Sequence, residues 1–138
     1  MKTVKLSASA LKRLEKAARR AAKTSYSPYS HFPVGAAVLT PSGGIFTGCN
    51  VENASYGLCN CAERTAIFSA ISSGEHGIDA VVVYTATSTA SSPCGACRQV
   101  INEFGPKALV VSICDSKDRI ESDLGKLLPT AFGPRNLQ

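Results

Sequence analysis

An α/β fold, with helices packed on a mixed sheet of about five strands, is predicted by three features of this 138-residue sequence. An amphipathic stretch opens the chain, two β-rich runs flank a tight turn after it, and helical stretches then alternate with short runs of β-branched residues. Strands separated by helices imply crossover connections, so the later strands are expected to run parallel.

Ser7 to Lys23 places Leu11, Leu14, Ala18 and Ala21 on one stripe at helical spacing, with Ser7 or Ser9 available as the N-cap. The segment Tyr26-Ser27-Pro28-Tyr29-Ser30 breaks that pattern. Val34 to Thr40 and Ile45 to Val51 then read as a hairpin around Pro41-Ser42-Gly43-Gly44. A second helix is expected from Cys61 to about Ser73, ending near Gly74, and Ala80 to Thr85 is a buried strand. In Ser91-Ser92-Pro93-Cys94, Ser92 suits an N-cap and Pro93 the first helical position, so a third helix is expected from there to Phe104, stopped by Gly105-Pro106. Ala108 to Ile113 is another buried strand, and Arg119 to Ser122 reads as a short last one. Asp123 to Leu128 reads as a final helix ended by Pro129.

The length and a hydrophobic content of 44% suit a single domain over residues 1–138 with a substantial core. Its longest apolar runs fall far short of the roughly 20 residues a membrane helix needs, and no apolar segment resembling a secretory signal follows Lys2 and Lys5. A cytoplasmic location and no membrane partner are therefore expected. The net charge of +5 is uneven: residues 1–23 hold eight of the fifteen basic side chains against one acid, Glu15, which makes that segment +7 and the remainder −2. No aromatic residues interleave with these charges, as a single-strand binding platform requires. The segment is read as a solvated helix face, and nucleic acid is not expected as a partner.

Six cysteines stand at 49, 59, 61, 94, 97 and 114, a spacing unlike a secreted disulfide framework. Cys94 and Cys97 lie three apart at a helix start, so their sulfurs share one face. Taken alone, that pair fits a redox dithiol as well as a metal site. Cys61, at the start of another predicted helix, tips the reading toward metal, because a helix, a loop and a strand fit between it and Cys94 and can bring the two helix N-termini together. Both N-termini favour thiolate over thiol. Three thiolates on zinc leave one tetrahedral position for water, the mark of a catalytic rather than a structural site.

An open zinc needs a proton carrier, and Glu63 lies two residues past Cys61. The alternative, a capping box from Asn60 to Glu63, does not account for the companion cysteines. Cys61 is chosen over Cys59 because an acid follows the former at that spacing. Cys49, Cys59 and Cys114 are expected as small buried residues. Arg64, beside the ligand, is expected to offset the negative charge of a three-thiolate zinc. His31 and His76 are the obvious fourth ligands of a structural zinc module, yet neither sits at ligand spacing from the cysteines.

The acid two residues after a ligand and the Pro-Cys-x-x-Cys word are shared by the zinc deaminases as a class. Beyond them, Tyr29-Ser30-His31-Phe32-Pro33-Val34-Gly35-Ala36-Ala37, the run Phe46 to Gly57, Cys61-Ala62-Glu63-Arg64-Thr65-Ala66 and Pro93-Cys94-Gly95-Ala96-Cys97-Arg98-Gln99 closely resemble the small homotetrameric cytidine deaminases. The resemblance runs from about Leu11 to Phe132. It implies a three-layer α-β-α fold and hydrolysis of cytidine and deoxycytidine to uridine and deoxyuridine plus ammonia in pyrimidine salvage. In that reaction, water activated on Zn2+ attacks C4, with Glu63 as proton shuttle. It also implies that Phe32 packs against the pyrimidine and that Asn50 and Glu52 hold the ribose 3′-hydroxyl; backbone at Ala62 and Ser92, at the two predicted helix starts, is expected to meet the polar edge of the base. Tyr56 and Phe132 match side chains lent to neighbouring subunits of a homotetramer. The sugar-binding pair and the closing aromatic suit an enclosed nucleoside rather than a continuing strand, and the full Asn50 to Gly57 run favours a nucleoside over the blasticidin-type antibiotics.

Overall fold

The computed structural model describes residues 4–138. Its elements in chain order are α1 (Ala8–Ala22), β1 (Val34–Leu39), β2 (Ile45–Cys49), α2 (Ala62–Ser72), β3 (Ala80–Thr85), α3 (Gly95–Phe104), β4 (Leu109–Ile113), β5 (Arg119–Asp123) and α4 (Leu124–Leu127). Two short 3-10 turns, Tyr56–Leu58 and Pro134–Leu137, were not anticipated. The strands form one sheet in the order β2-β1-β3-β4-β5.

Alternation along the central strands sends side chains to two cores. Ala37, Ala80, Val82, Val111 and Ile113 pack on Leu14 and Ala18 of α1. Ala36, Val38, Val81 and Val83 pack on the opposite side against Ala66, Ile67 and Ala70 of α2, Ile101 of α3 and Leu124 of α4. The result is the three-layer arrangement that the resemblance implies. Two glycines set how closely helices approach this sheet. A Cβ at Gly35 would lie 2.0 Å from the Ala18 carbonyl oxygen, and one at Gly48 would lie 2.4 Å from the Ala66 nitrogen and 2.7 Å from the Ala62 oxygen. Gly48 therefore holds the first turns of α2 directly against β2.

The expectation that the later strands run parallel needs correction. β3 and β4 are parallel, whereas β4 and β5 are antiparallel. The few residues between β4 and β5 are too short for a crossover, so the chain returns as a hairpin. The start of α3 also differs from the expected one: its N-cap is Cys94, not Ser92, and Pro93 lies outside the helix. The Ser92 hydroxyl instead accepts from Arg98 Nη2 at 2.8 Å, and the Pro93 carbonyl accepts from Arg98 Nε at 2.7 Å. Likewise Cys61 is the N-cap of α2, which puts Glu63 at its second position and leaves no capping box with Asn60. Asn60 donates to Thr65 Oγ1 instead, at 3.0 Å.

Ser7 caps α1 by accepting from the Ala10 amide at 3.1 Å. Lys12, Arg13, Lys16, Arg20 and Lys23 lie exposed on the face away from the core, and Lys2 lies outside the described residues. Arg19 sits 4.7 Å above the Tyr84 ring and 3.5 Å from Asp115, and Glu15 pairs with Arg119 at 3.0 Å, which ties α1 to the far end of the sheet. Among the described residues, no helix is long and apolar enough to cross a membrane.

Candidate functional site

The three cysteines singled out above converge. Cys61 and Cys94 are the N-caps of α2 and α3, and Cys97 lies three residues on, in the first turn of α3. Neither N-cap sulfur makes a capping bond to its own helix, so both are directed at the space between the two helix starts. Cys61 Sγ lies 3.9 Å from Cys94 Sγ, which lies 3.6 Å from Cys97 Sγ, and all three sulfurs fall within 4.8 Å of one another. A tetrahedral centre with Zn–S bonds of about 2.3 Å separates its sulfurs by about 3.8 Å. The cluster therefore fits zinc with little movement. Among the described residues no fourth ligand joins it, so neither His31 nor His76 closes the site.

Charge and burial prepare these groups. The Cys97 thiol, and after it the Arg64 guanidinium, stabilise the Cys61 thiolate and bring its pKa down to about 5. Cys97 is pushed the other way, because it holds its proton toward Cys61 and is buried. Arg64 Nη2 donates to Cys61 Sγ at 3.2 Å, the contact expected for a cation offsetting thiolate charge. Replacing Arg64 by Gln is expected to retain zinc while lowering turnover about 10- to 100-fold, as loss of a partner behind a ligand typically does. Metal analysis beside steady-state kinetics checks this, and unchanged kinetics would dispose of the role.

Glu63 is 5% exposed and lines the same cleft as Cys61 and Cys94 without joining the metal-binding group. Burial raises its carboxyl above the usual range; its own backbone amide opposes this, and the nearby Cys61 charge adds to the rise. A carboxyl that takes up a proton readily, beside an open metal position, is placed for proton transfer.

The cleft has a volume of about 240 Å³, and Phe32, Asn50, Glu52 and Ala62 all line it. Ala62 opens α2, where a backbone N–H has no partner within the helix. Asn50 and Glu52 lie just past the end of β2 and also brace the loop that carries Phe32. Asn50 Oδ1 accepts from the Val34 amide at 2.9 Å, and Asn50 Nδ2 donates to the Phe32 carbonyl at 2.8 Å. Glu52 Oε1 accepts from the amides of Tyr29 at 2.9 Å and Ser30 at 3.1 Å, and Oε2 accepts from the Ser30 hydroxyl. The Ser30 hydroxyl leads these donors in holding Glu52 below the usual carboxylate range, so it presents an ionised acceptor.

Two predicted residues stand apart. Tyr56 is 72% exposed and Phe132 is 58% exposed, and neither lines this chain's own cleft. Tyr56 meets Tyr29 edge to face at 5.8 Å, and the Phe132 carbonyl accepts from Gln99 Nε2 at 2.8 Å. Of the other cysteines, Cys114 is buried as expected, but Cys49 and Cys59 are only half-buried. Cys59 lines the cleft, and its sulfur accepts from the Asn53 amide at 3.3 Å. Sequence reasoning missed Arg98, whose guanidinium fixes the Ser92-Pro93 wall. Its position one residue after a ligand was the available signal.

Comparison with known proteins agrees with this geometry. Residues 8–113 match the family model described as the cytidine and deoxycytidylate deaminase zinc-binding region. A cytidine deaminase of Sporosarcina psychrophila is 48% identical over 120 residues, covering 86% of this chain and 88% of the relative. The crystal structure of cytidine deaminase from Burkholderia pseudomallei superposes with a TM-score of 0.84 at 50% identity, over 88% of this chain and 98% of that one. That of Mycobacterium tuberculosis gives 0.78 at 41% identity, over 89% and 97%.

Proposed function

This chain belongs to the cytidine and deoxycytidylate deaminase family, and from that premise we propose how its residues divide the work of deaminating cytidine. The enzyme is a zinc-dependent hydrolase that converts cytidine and water to uridine and ammonia. When held by Cys61, Cys94 and Cys97, zinc supplies the Lewis acidity that makes water nucleophilic at neutral pH. Glu63 takes a proton from the attacking water and delivers it to N3 of the base, then carries a second proton to the amino group leaving C4. Arg64 draws charge from Cys61 and so keeps the metal acidic.

Phe32 packs on the pyrimidine, and backbone groups at Ala62 and Ser92 meet its polar edge. Asn50 and Glu52 bind the ribose 3′-hydroxyl with the hydrogen-bonding capacity that their loop contacts leave over, which makes deoxycytidine a substrate too. Tyr56 and Phe132 complete the cleft of a neighbouring subunit in a homotetramer, a role supported by their exposure away from their own cleft. The reaction belongs to pyrimidine salvage in the cytoplasm, where six free cysteines stay reduced.

The observation that carries this reading is the meeting of three sulfurs at two helix starts with a buried acid in the same cleft. A substrate panel tests it: zinc-loaded protein is expected to deaminate free cytidine and deoxycytidine and to leave single-stranded DNA and RNA intact. Turnover of strands without turnover of nucleosides would reverse the substrate assignment. A fully active monomer at micromolar concentration would refute the shared cleft.

A further inference from the structure

The mechanism above leaves one strongly bonded cation unused. Arg98 follows the ligand Cys97 on α3, and its guanidinium reaches three acceptors from two separate parts of the chain. Nε donates to the Pro93 carbonyl at 2.7 Å, Nη2 to the Ser92 hydroxyl at 2.8 Å and Nη1 to the Leu127 carbonyl at 2.9 Å. The first two belong to the segment Ser91–Cys94, of which Ser91, Ser92 and Cys94 line the cleft. The third is the last residue of α4, where helix carbonyls lack partners and carry partial negative charge.

A planar fork with fixed donor directions suits this task, since it holds three oxygens in one geometry that a single ammonium cannot. Ser91, Ser92 and Pro93 belong to no strand or helix, and only Cys94 is tied to α3, where its carbonyl accepts from the Arg98 amide at 3.0 Å. Beyond α4 runs the segment leading to Phe132, whose carbonyl is held from the same face of α3 by Gln99 at 2.8 Å and Asn102 at 3.3 Å. One helix thus anchors both the cleft wall and the C-terminal segment.

We propose that Arg98 is a positioning residue that sets the Ser91–Cys94 wall against the base, with α4 as its fixed anchor. The proposal rests on the deaminase reading of this cleft. Arg98 need not touch the substrate; it holds backbone that does, and displacements of about 1 Å in such groups cost about 100-fold in rate.

Arg98→Met keeps a long apolar stem and removes every donor. Per zinc-loaded site, its kcat/KM for cytidine is expected to fall about 100-fold. KM should rise and kcat fall together, because the wall meets the base both before and during the reaction. Arg98→Lys should recover only a minor part. Ser92→Ala removes one of the three acceptors while keeping the backbone. Combined with Arg98→Met it is expected to be no slower than Arg98→Met alone, because the hydroxyl acts through the guanidinium. A residue that merely stabilised the fold would lower thermal stability and yield yet leave KM and kcat per zinc-loaded site unchanged. That result, or full multiplication of the two single effects, overturns the proposal. Should Arg98→Met fail to fold, Arg98→Lys takes its place in the same comparison. Wild-type turnover of cytidine in the same assay keeps the two readings apart. An inert wild type defeats the deaminase assignment, while an active wild type beside unaffected Arg98 variants defeats only the positioning role.

Discussion

Glu63→Ala is expected to keep its zinc and lose about 10⁴-fold in cytidine turnover, the upper end of what one positioned acid-base group contributes. The reasoning is local. Glu63 occupies the second position of α2, directly after the N-cap ligand and its neighbour, so the same helix start fixes both metal and acid. It is 5% exposed and stands outside the metal-binding group, which leaves it no structural duty toward zinc. Glu63→Gln preserves the shape without the transferable proton and should be nearly as slow. The fall in ultraviolet absorbance as cytidine becomes uridine reads the rate, and near-normal rates in both variants would remove Glu63 from the mechanism.

Cys97→Ala is expected to abolish both zinc binding and activity. Cys97 is fully buried while Cys61 and Cys94 are not, and two remaining thiolates cannot make a three-coordinate protein site. A metal held by all three sulfurs would clamp the start of α2 to the start of α3, so its removal should appear as a loss of stability. A metal present at about 1,000 times its Kd stabilises a fold by about 4 kcal/mol. Chelation should therefore lower the Tm of the wild type and leave that of Cys97→Ala where it is. A variant that still responds to the chelator would point to different ligands.

The zinc site could be read from the sequence because its determinants are short-range. Cys94 and Cys97 share one helical turn, Glu63 follows Cys61 by two residues, and the alternation of helix and strand brings the two turns together. The three sulfurs meet as expected, but the start of α3 moved: Cys94, not Ser92, is its N-cap. Propensity favoured serine there, and the Arg98 bonds to Ser92 and Pro93 prevailed. The wall around the cleft was less legible, since its contacts span long stretches of chain. Arg98 reaches Leu127 across 29 positions, and Glu52 reaches Tyr29 across 23. No local pattern announces such pairs. The reversal of β5 was legible in principle, because the short β4–β5 connection excludes a crossover.

In the proposed mechanism an open zinc on Cys61, Cys94 and Cys97 drives deamination of a free nucleoside. Zinc titrated into metal-free wild-type protein, with cytidine turnover followed throughout, tests it most directly. Activity is expected to rise in proportion to added metal and to level off at one zinc per chain. Full turnover before any zinc is added, or stoichiometric zinc uptake with no turnover, would contradict that role of the metal.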